Sequence, residues 1–261
     1  MLPASSSGFS VTPLHCLPLF TAQTPVFRAV ADALEAQGIE IRDDDIVVVA
    51  QKIVSKAEGR TIRLRDIAPG GDAADLGAST GRDPALMQLV LDESVGVMRA
   101  TPAAVIVRHR TGHVLANAGI DASNVAGGGE DSVLLWPIDP DASARGIRAA
   151  LASETGAAPA VVIADSMGRA WRVGTLGTAI GCAGLAVIDD QRGQQDLFGR
   201  TLQATIVAVA DAIAGAAVLA MGEGSEGTPV AIVRGCGHWV SRDDGSGMAP
   251  GLRPLAQDMF R

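Results

Sequence analysis

The chain of 261 residues carries 21 Lys and Arg against 29 Asp and Glu, a formal net charge of -8, and 48% of it is hydrophobic. That is enough apolar material for a sizeable globular core, while the acidic balance and the lack of a basic stripe argue against duplex nucleic acid or an anionic membrane surface as partner. With five Phe, three Trp and no Tyr, the core must be built from Ala, Val, Leu and Ile, and base stacking on single strands has little to work with.

Cys16, Cys182 and Cys236 are odd in number and far apart. They form neither a zinc spacing nor a disulfide framework, which fits a reducing cytoplasm. The N-terminus lacks a basic region followed by an apolar core, so no signal peptide is expected. The longest small-apolar stretch, residues 205–221, is broken by Asp211 and falls short of the ~18 uninterrupted apolar residues of a membrane span.

Residues 1–10 are small and polar, the pattern of a frayed end. Leu17-Pro18-Leu19-Phe20 is an apolar segment whose proline fixes an extended or turning backbone. Thr24-Pro25 reads as a hydroxyl cap and first-turn proline opening a helix to about Gln37, stopped by Gly38. Residues 45–50 read as a buried strand, followed by Gln51, Lys52, Ser55 and Lys56. Lysines just past a strand suit a polyanion, although a solvated charged face is the commoner role for lysines.

Asp83-Pro84 opens a further helix, and residues 105–109 and 113–115 flank Thr111-Gly112 as a hairpin. The turn between His109 and His113 argues against a helical zinc face. Residues 117–129 are rich in glycine and include Asp121 and Asn124, two oxygen donors in a stretch where backbone can approach phosphate. There is no Walker A pattern and no G-x-G-x-x-G. Asp139-Pro140 opens a helix to about Thr155.

The next stretch is the most informative. An apolar β-branched run, residues 160–164, ends in Asp165, Ser166, Met167, Gly168 and Arg169, with Arg172 behind. A strand ending in an acid and a hydroxyl would present hard oxygen ligands for magnesium or manganese at a sheet edge. Nearby guanidinium forks suit carboxylate or phosphate. A strand followed by a salt-bridged turn has the same signature. Gly174, Gly177, Gly181 and Gly184 imply close backbone packing. Residues 201–221 read as a long Ala-rich helix, followed by the glycine-rich segment 222–229 and a final strand, residues 230–234. The segment 236–261 reads as peripheral. The irregular alternation of helices and strands predicts an α+β, mixed α/β chain without internal repeats.

Five stretches in order, 17–19, 54–60, 117–124, 164–172 and 220–223, closely resemble the coenzyme F-420-0:L-glutamate ligases (gamma-glutamyl ligases), and residues 196–200 and 233–235 fit as well. The likeness spans residues 11–235, so a single family domain is expected there, with two structural lobes and an intertwined homodimer. The resemblance implies a GTP-dependent amide ligase that adds L-glutamate to the lactyl carboxylate of a deazaflavin phosphodiester and then extends a gamma-linked chain through an acyl phosphate. It implies magnesium or manganese, often potassium, and no protein nucleophile. By position, Asp121, Asp165, Ser166 and Glu223 would be metal ligands. Leu17, Pro18, Leu19, Phe20, Gln51, Lys52, Lys56, Asn124 and the loop Met221, Gly222, Glu223, Gly224, Ser225, Glu226, Gly227 and Thr228 would contact GTP, and Arg169 and Arg172 would meet the substrates.

The sequence departs from the family pattern at Ser166, where many relatives have Thr, and at Glu223, where several have Gln. It also has Val173-Gly174-Thr175-Leu176-Gly177 in place of Asn-Gly-Gln-Thr-Asp. The last change motivates a second reading, a ligase on this scaffold for another amino acid or acceptor. A third is a non-catalytic nucleotide- or deazaflavin-binding protein.

Overall fold

The computed structural model describes residues 8–123 and 131–258. In chain order the elements are β1 (Ser10–Pro13), α1 (Val26–Ala36), β2 (Ile46–Ala50), α2 (Gln51–Ala57), β3 (Thr61–Arg63), α3 (Gly71–Thr80), α4 (Pro84–Asp92), β4 (Ser94–Ala100), β5 (Val105–His109) and β6 (Val114–Ala116). There follow β7 (Ser132–Leu134), α5 (Pro140–Thr155), β8 (Ala160–Gly168), β9 (Thr175–Ala183), β10 (Ile188–Asp190), β11 (Ile206–Ala208), α6 (Val209–Met221) and β12 (Val230–Arg234). Helices and strands are mixed, as the irregular alternation predicts.

The main sheet has the order β1-β12-β2-β8-β9. Only β2 and β8 run parallel, paired from Ile46↔Ala160 to Ala50↔Ala164. Both strands are continuous apolar runs because both faces of the sheet are covered. On one face Val47, Val49, Val161, Ile163, Val230 and Ile232 pack with α1, α5 and Trp136. On the other, Ile46, Val48, Val162, Ala164, Ala231 and Val233 pack with α6. At roughly 25 cal/mol per Å2 of apolar area removed from water, these two layers dominate the stability. A smaller part holds α3, α4 and the β4-β5-β6 sheet around Met87, Val90, Val105 and Val107.

Gly177 and Gly181 of β9, and Gly184 just after it, pack as closely as expected, but Gly174 does not: it has nothing within 4 Å and serves the turn with φ +88. A Cβ on Gly177 would lie 2.4 Å from the Ala214 carbonyl of α6, and one on Gly181 2.4 Å from Pro140 of α5. The hairpin at residues 105–116 is present, with Gly112 at φ +95 in its turn. Asp83 and Asp139 cap their helices through Ala85 N and Ala142 N.

Four expectations need correction. The strand does not end at Asp165: β8 runs on to Gly168 because β9 pairs with it as far as Gly168↔Thr175. The Ala-rich helix starts at Val209, since Ile206–Ala208 is held as a strand against β10. Thr24 does not cap α1; its hydroxyl takes the Thr21 amide, and Pro25 stands at the cap without a side-chain bond. The segment 236–258 is tied in: Cys236 and Met248 are buried beside α6, and the Arg148 guanidinium binds Asp244 at 2.7 Å and the Ser241 carbonyl.

Candidate functional site

The parallel pair β2–β8 delivers two chain segments side by side. After Ala50 the chain turns into α2, which starts with Gln51 and Lys52; its neighbour in register, Ala164, leads to Asp165 and Ser166. Beside them α6 ends at Gly222 (φ +78), and the chain turns through residues 222–229 before β12. Thr228 pins the base of that loop by donating to the Met221 carbonyl at 2.7 Å. Between these walls and residues 17–20 lies a cavity of about 600 Å3.

Leu17, Pro18, Leu19, Phe20, Gln51, Lys52, Lys56, Asp165, Ser166 and the whole segment from Met221 to Thr228, with Glu223 exposed in it, line this cavity. Asp121 stands just behind its rim, next to the lining residue Ala122. Arg169 and Arg172 are exposed in the β8–β9 turn and do not line the cavity. Asn124 lies outside the described residues.

The charges are arranged in layers. Lys52 Nζ is 2.6 Å from Asp121 Oδ2 and donates to Ser123 Oγ at 2.9 Å. Burial alone would raise Asp121, but the Lys52 and Ser123 bonds prevail and lower its carboxyl. Burial and the neighbouring Lys52 lower the Lys56 ammonium, against a smaller pull from Asp121. Asp165 accepts Trp136 Nε1–H on Oδ2 and the Ser166 amide on Oδ1, both at 2.8 Å. Burial pushes its carboxyl up to about 6, and nearby Asp121 adds to the effect. Gln51 is buried; its Oε1 accepts the Ser55 hydroxyl, while its Nε2 has no acceptor among the described residues.

The chemistry of the donors decides whether a hard divalent cation suits this place. Asp121, Asp165 and Ser166 are oxygen donors; Lys52 pairs directly with Asp121, and its smaller pull on the Asp165 carboxyl does not offset burial. Among the described residues no three His, Cys, Asp or Glu side chains converge on one point. The described residues thus form no carboxylate cage of the calcium kind. An ion that keeps waters and takes one or two carboxylates plus nucleotide phosphates, as magnesium does, fits these donors.

Sequence reasoning missed Trp136 and Ser123. Ser123 was legible, since an Asp two residues before a Ser is an Asx-turn pattern, and both Ser123 N and Oγ bond Asp121 Oδ1. Trp136 gave no signal; its partner is reached only through the fold. His109 and His113, four apart around the turn, both bond Thr111 through Nδ1 and flank the Trp136 ring.

Among the described residues no helix is long and apolar enough to cross a membrane. Residues 16–235 match the sequence model of the F420-0:Gamma-glutamyl ligase family. The coenzyme F420:L-glutamate ligase of Methanothermobacter thermautotrophicus is 43% identical over 97% of this chain and 99% of its own length. Those of Methanopyrus kandleri and Methanocaldococcus jannaschii are 41% and 39% identical, over 87% and 85% of this chain and 90% and 86% of their own lengths.

Proposed function

The chain belongs to the F420-0:Gamma-glutamyl ligase family, and on that premise we propose that it joins L-glutamate to a deazaflavin phosphodiester, coenzyme F-420-0, through an amide bond at the expense of GTP. The observation that carries this reading is that Lys52, Lys56, Asp165, Ser166 and the glycine-rich loop 222–228 line one cavity.

An alkyl carboxylate does not react with an amine at neutral pH, because oxide is a poor leaving group. Transfer of the γ-phosphoryl group of GTP to the lactyl carboxylate makes an acyl phosphate and releases GDP. The glutamate amine then attacks the carbonyl carbon, the C–N bond forms, and phosphate departs with the electrons of the broken C–O bond. Such a reaction needs positioning and charge neutralisation rather than a protein nucleophile. Cys182 suits no such role, since burial pushes its thiol up to about 12.

In this reading Lys52 and Lys56 neutralise the nucleotide phosphates, and the buried Gln51 amide offers its unused N–H to the nucleotide. The apolar segment 17–20 and the loop 222–228 shield the reacting groups from water. Asp121, Asp165, Ser166 and Glu223 would hold magnesium or manganese, which when bound supplies further neutralisation of phosphate charge. Arg169 and Arg172, exposed on the β8–β9 turn, meet the anionic substrates from outside. A homodimer completes the proposal: Val173, Leu197 and Phe198 are largely exposed apolar side chains, suited to cover by a second copy.

The test is turnover. The purified protein is incubated with the deazaflavin acceptor, L-glutamate, GTP and manganese, and product mass and GDP are followed. A gain of glutamyl units with matching GDP supports the ligase. GDP without glutamyl product turns the reading toward another amino acid or acceptor, and no GTP use under any metal favours a binding protein.

A further inference from the structure

Trp136 is fully buried, two residues past the end of β7. Its ring is hemmed in on several sides. His109 stands at a centroid distance of 4.9 Å and a 56° tilt, and His113 meets it edge-on at 5.5 Å. Gly119, at φ +70, passes so close that a Cβ there would lie 2.3 Å from the indole nitrogen. The Trp136 carbonyl is tied to Arg60 Nε at 2.9 Å, and Arg60 is paired with Glu93 at 2.6 Å.

This packing leaves the indole N–H one direction, and in that direction lies Asp165 Oδ2 at 2.8 Å. Ser166 N holds the other carboxylate oxygen at the same distance. The Ser166 contact is local to β8 and travels with it, whereas Trp136 reaches Asp165 from another element. An indole is a donor only and does not titrate in the working range. It therefore fixes the carboxylate plane without adding a competing charge, and each oxygen keeps lone pairs for the cavity. From this geometry we infer that Trp136 is a positioning residue, whose N–H orients Asp165 for a divalent cation. The inference rests on the reading of Asp165 as a metal ligand given above.

Hydrogen-bond partners behind metal ligands typically change metal affinity by about 10–100-fold. Trp136→Phe keeps an aromatic ring in the site and removes the N–H together with part of the ring. Free Mn2+ in titrations of the metal-free protein, read by its electron paramagnetic resonance signal, should show binding weakened by about 10–100-fold. The thermal midpoint should fall, since a fully buried ring is shortened, and the titration is made well below it, where the variant is folded. Affinity within about two-fold of the wild type overturns the inference while leaving Asp165 as a ligand. A wild type that binds no Mn2+ removes Asp165 from the metal site and takes the inference with it.

A second measurement needs no folded Trp136 variant. The chain has three tryptophans, so the 15N indole resonance of Trp136 is assigned by substituting Trp171 and Trp239 with Phe. Addition of Mg2+ should move the Trp136 indole signal more than the other two. An unmoved signal under bound Mg2+ overturns the inference.

Discussion

The ammonium of Lys52, on the first turn of α2, stands 2.6 Å from Oδ2 of Asp121, a residue of the segment between β6 and β7. The pair joins the main sheet to the smaller part of the molecule at the edge of the cavity. Lys52 thus has two duties in the proposed reaction: it keeps Asp121 ionised and it faces the nucleotide. Lys52→Met should weaken GDP binding by roughly 10–100-fold, since a hydrogen bond to a charged group contributes about 1.5–3 kcal/mol. Isothermal titration calorimetry measures this; an unchanged affinity would take Lys52 out of the nucleotide site.

Asp165 offers a test in which stability and function move in opposite directions. Its carboxyl is raised to about 6, chiefly by burial. The folded protein therefore holds this proton more tightly than the unfolded chain, and Asp165 costs stability as pH climbs from about 4 to about 6, with the full cost persisting above. Asp165→Asn removes that cost and keeps an oxygen for the Trp136 N–H. In metal-free buffer at pH 8 the variant should be more stable by about 1–3 kcal/mol. At pH 4 the gain should vanish, while Mn2+ binding is lost throughout. Equal midpoints at pH 8 would mean that the carboxyl titrates normally.

Glu93 has the opposite sign. It is buried, which by itself would raise its carboxyl, yet His109, Arg60 and Arg110 hold it down at about 2. Its contribution is fully present above the ordinary carboxylate range of about 4 and is lost as pH falls from there toward 2. Glu93→Gln leaves two guanidinium groups without their shared acid and should destabilise by about 3–5 kcal/mol at pH 7. Chemical denaturation reads the change. A loss below about 1 kcal/mol would show that the cluster behaves as a solvated one.

Gly177 and Gly168 make a pair of opposites on neighbouring strands. A Cβ at Gly177 would collide with the Ala214 carbonyl and with Val218, whereas one at Gly168 would meet nothing within 4 Å. Gly177→Ala should cost about 1–3 kcal/mol as α6 is pushed from the sheet, and Gly168→Ala should be within about 0.5 kcal/mol of the wild type. Thermal melts of both variants check the contrast.

Most of the elements that carry the site were legible because their signals are local. Ile46–Ala50 and Ala160–Ala164 are unbroken apolar runs that only a two-sided burial tolerates, and Asp83-Pro84 and Asp139-Pro140 announce their helices through caps and first-turn prolines. What was hidden depends on pairing between distant segments. The extension of β8 past Asp165 exists because β9 offers a partner edge, and polar residues such as Asp165 and Ser166 give no strand signal of their own. The start of α6 at Val209 is set by β10 holding residues 206–208, against the helical preference of the alanines. Trp136 belongs to the same class: no spacing in the sequence ties it to Asp165.

The order β1-β12-β2-β8-β9 has a consequence for how the protein comes into being. The strand between β1 and β2, β12, is the last in chain order among the described residues, and the strand beside β2 on the other side, β8, lies more than 100 residues after it. Every neighbour of β2 is therefore distant in sequence, a topology that folds slowly because long loops must close before their contacts reward them. During synthesis β8 becomes available to β2 before β12 does, and β2 lacks β12 until residues 230–234 have left the ribosome. The loop 222–229, anchored between α6 and β12, forms no wall before then. The cavity is thus complete only once β12 slots into the gap, and any binding that depends on the loop 222–229 arrives with that step.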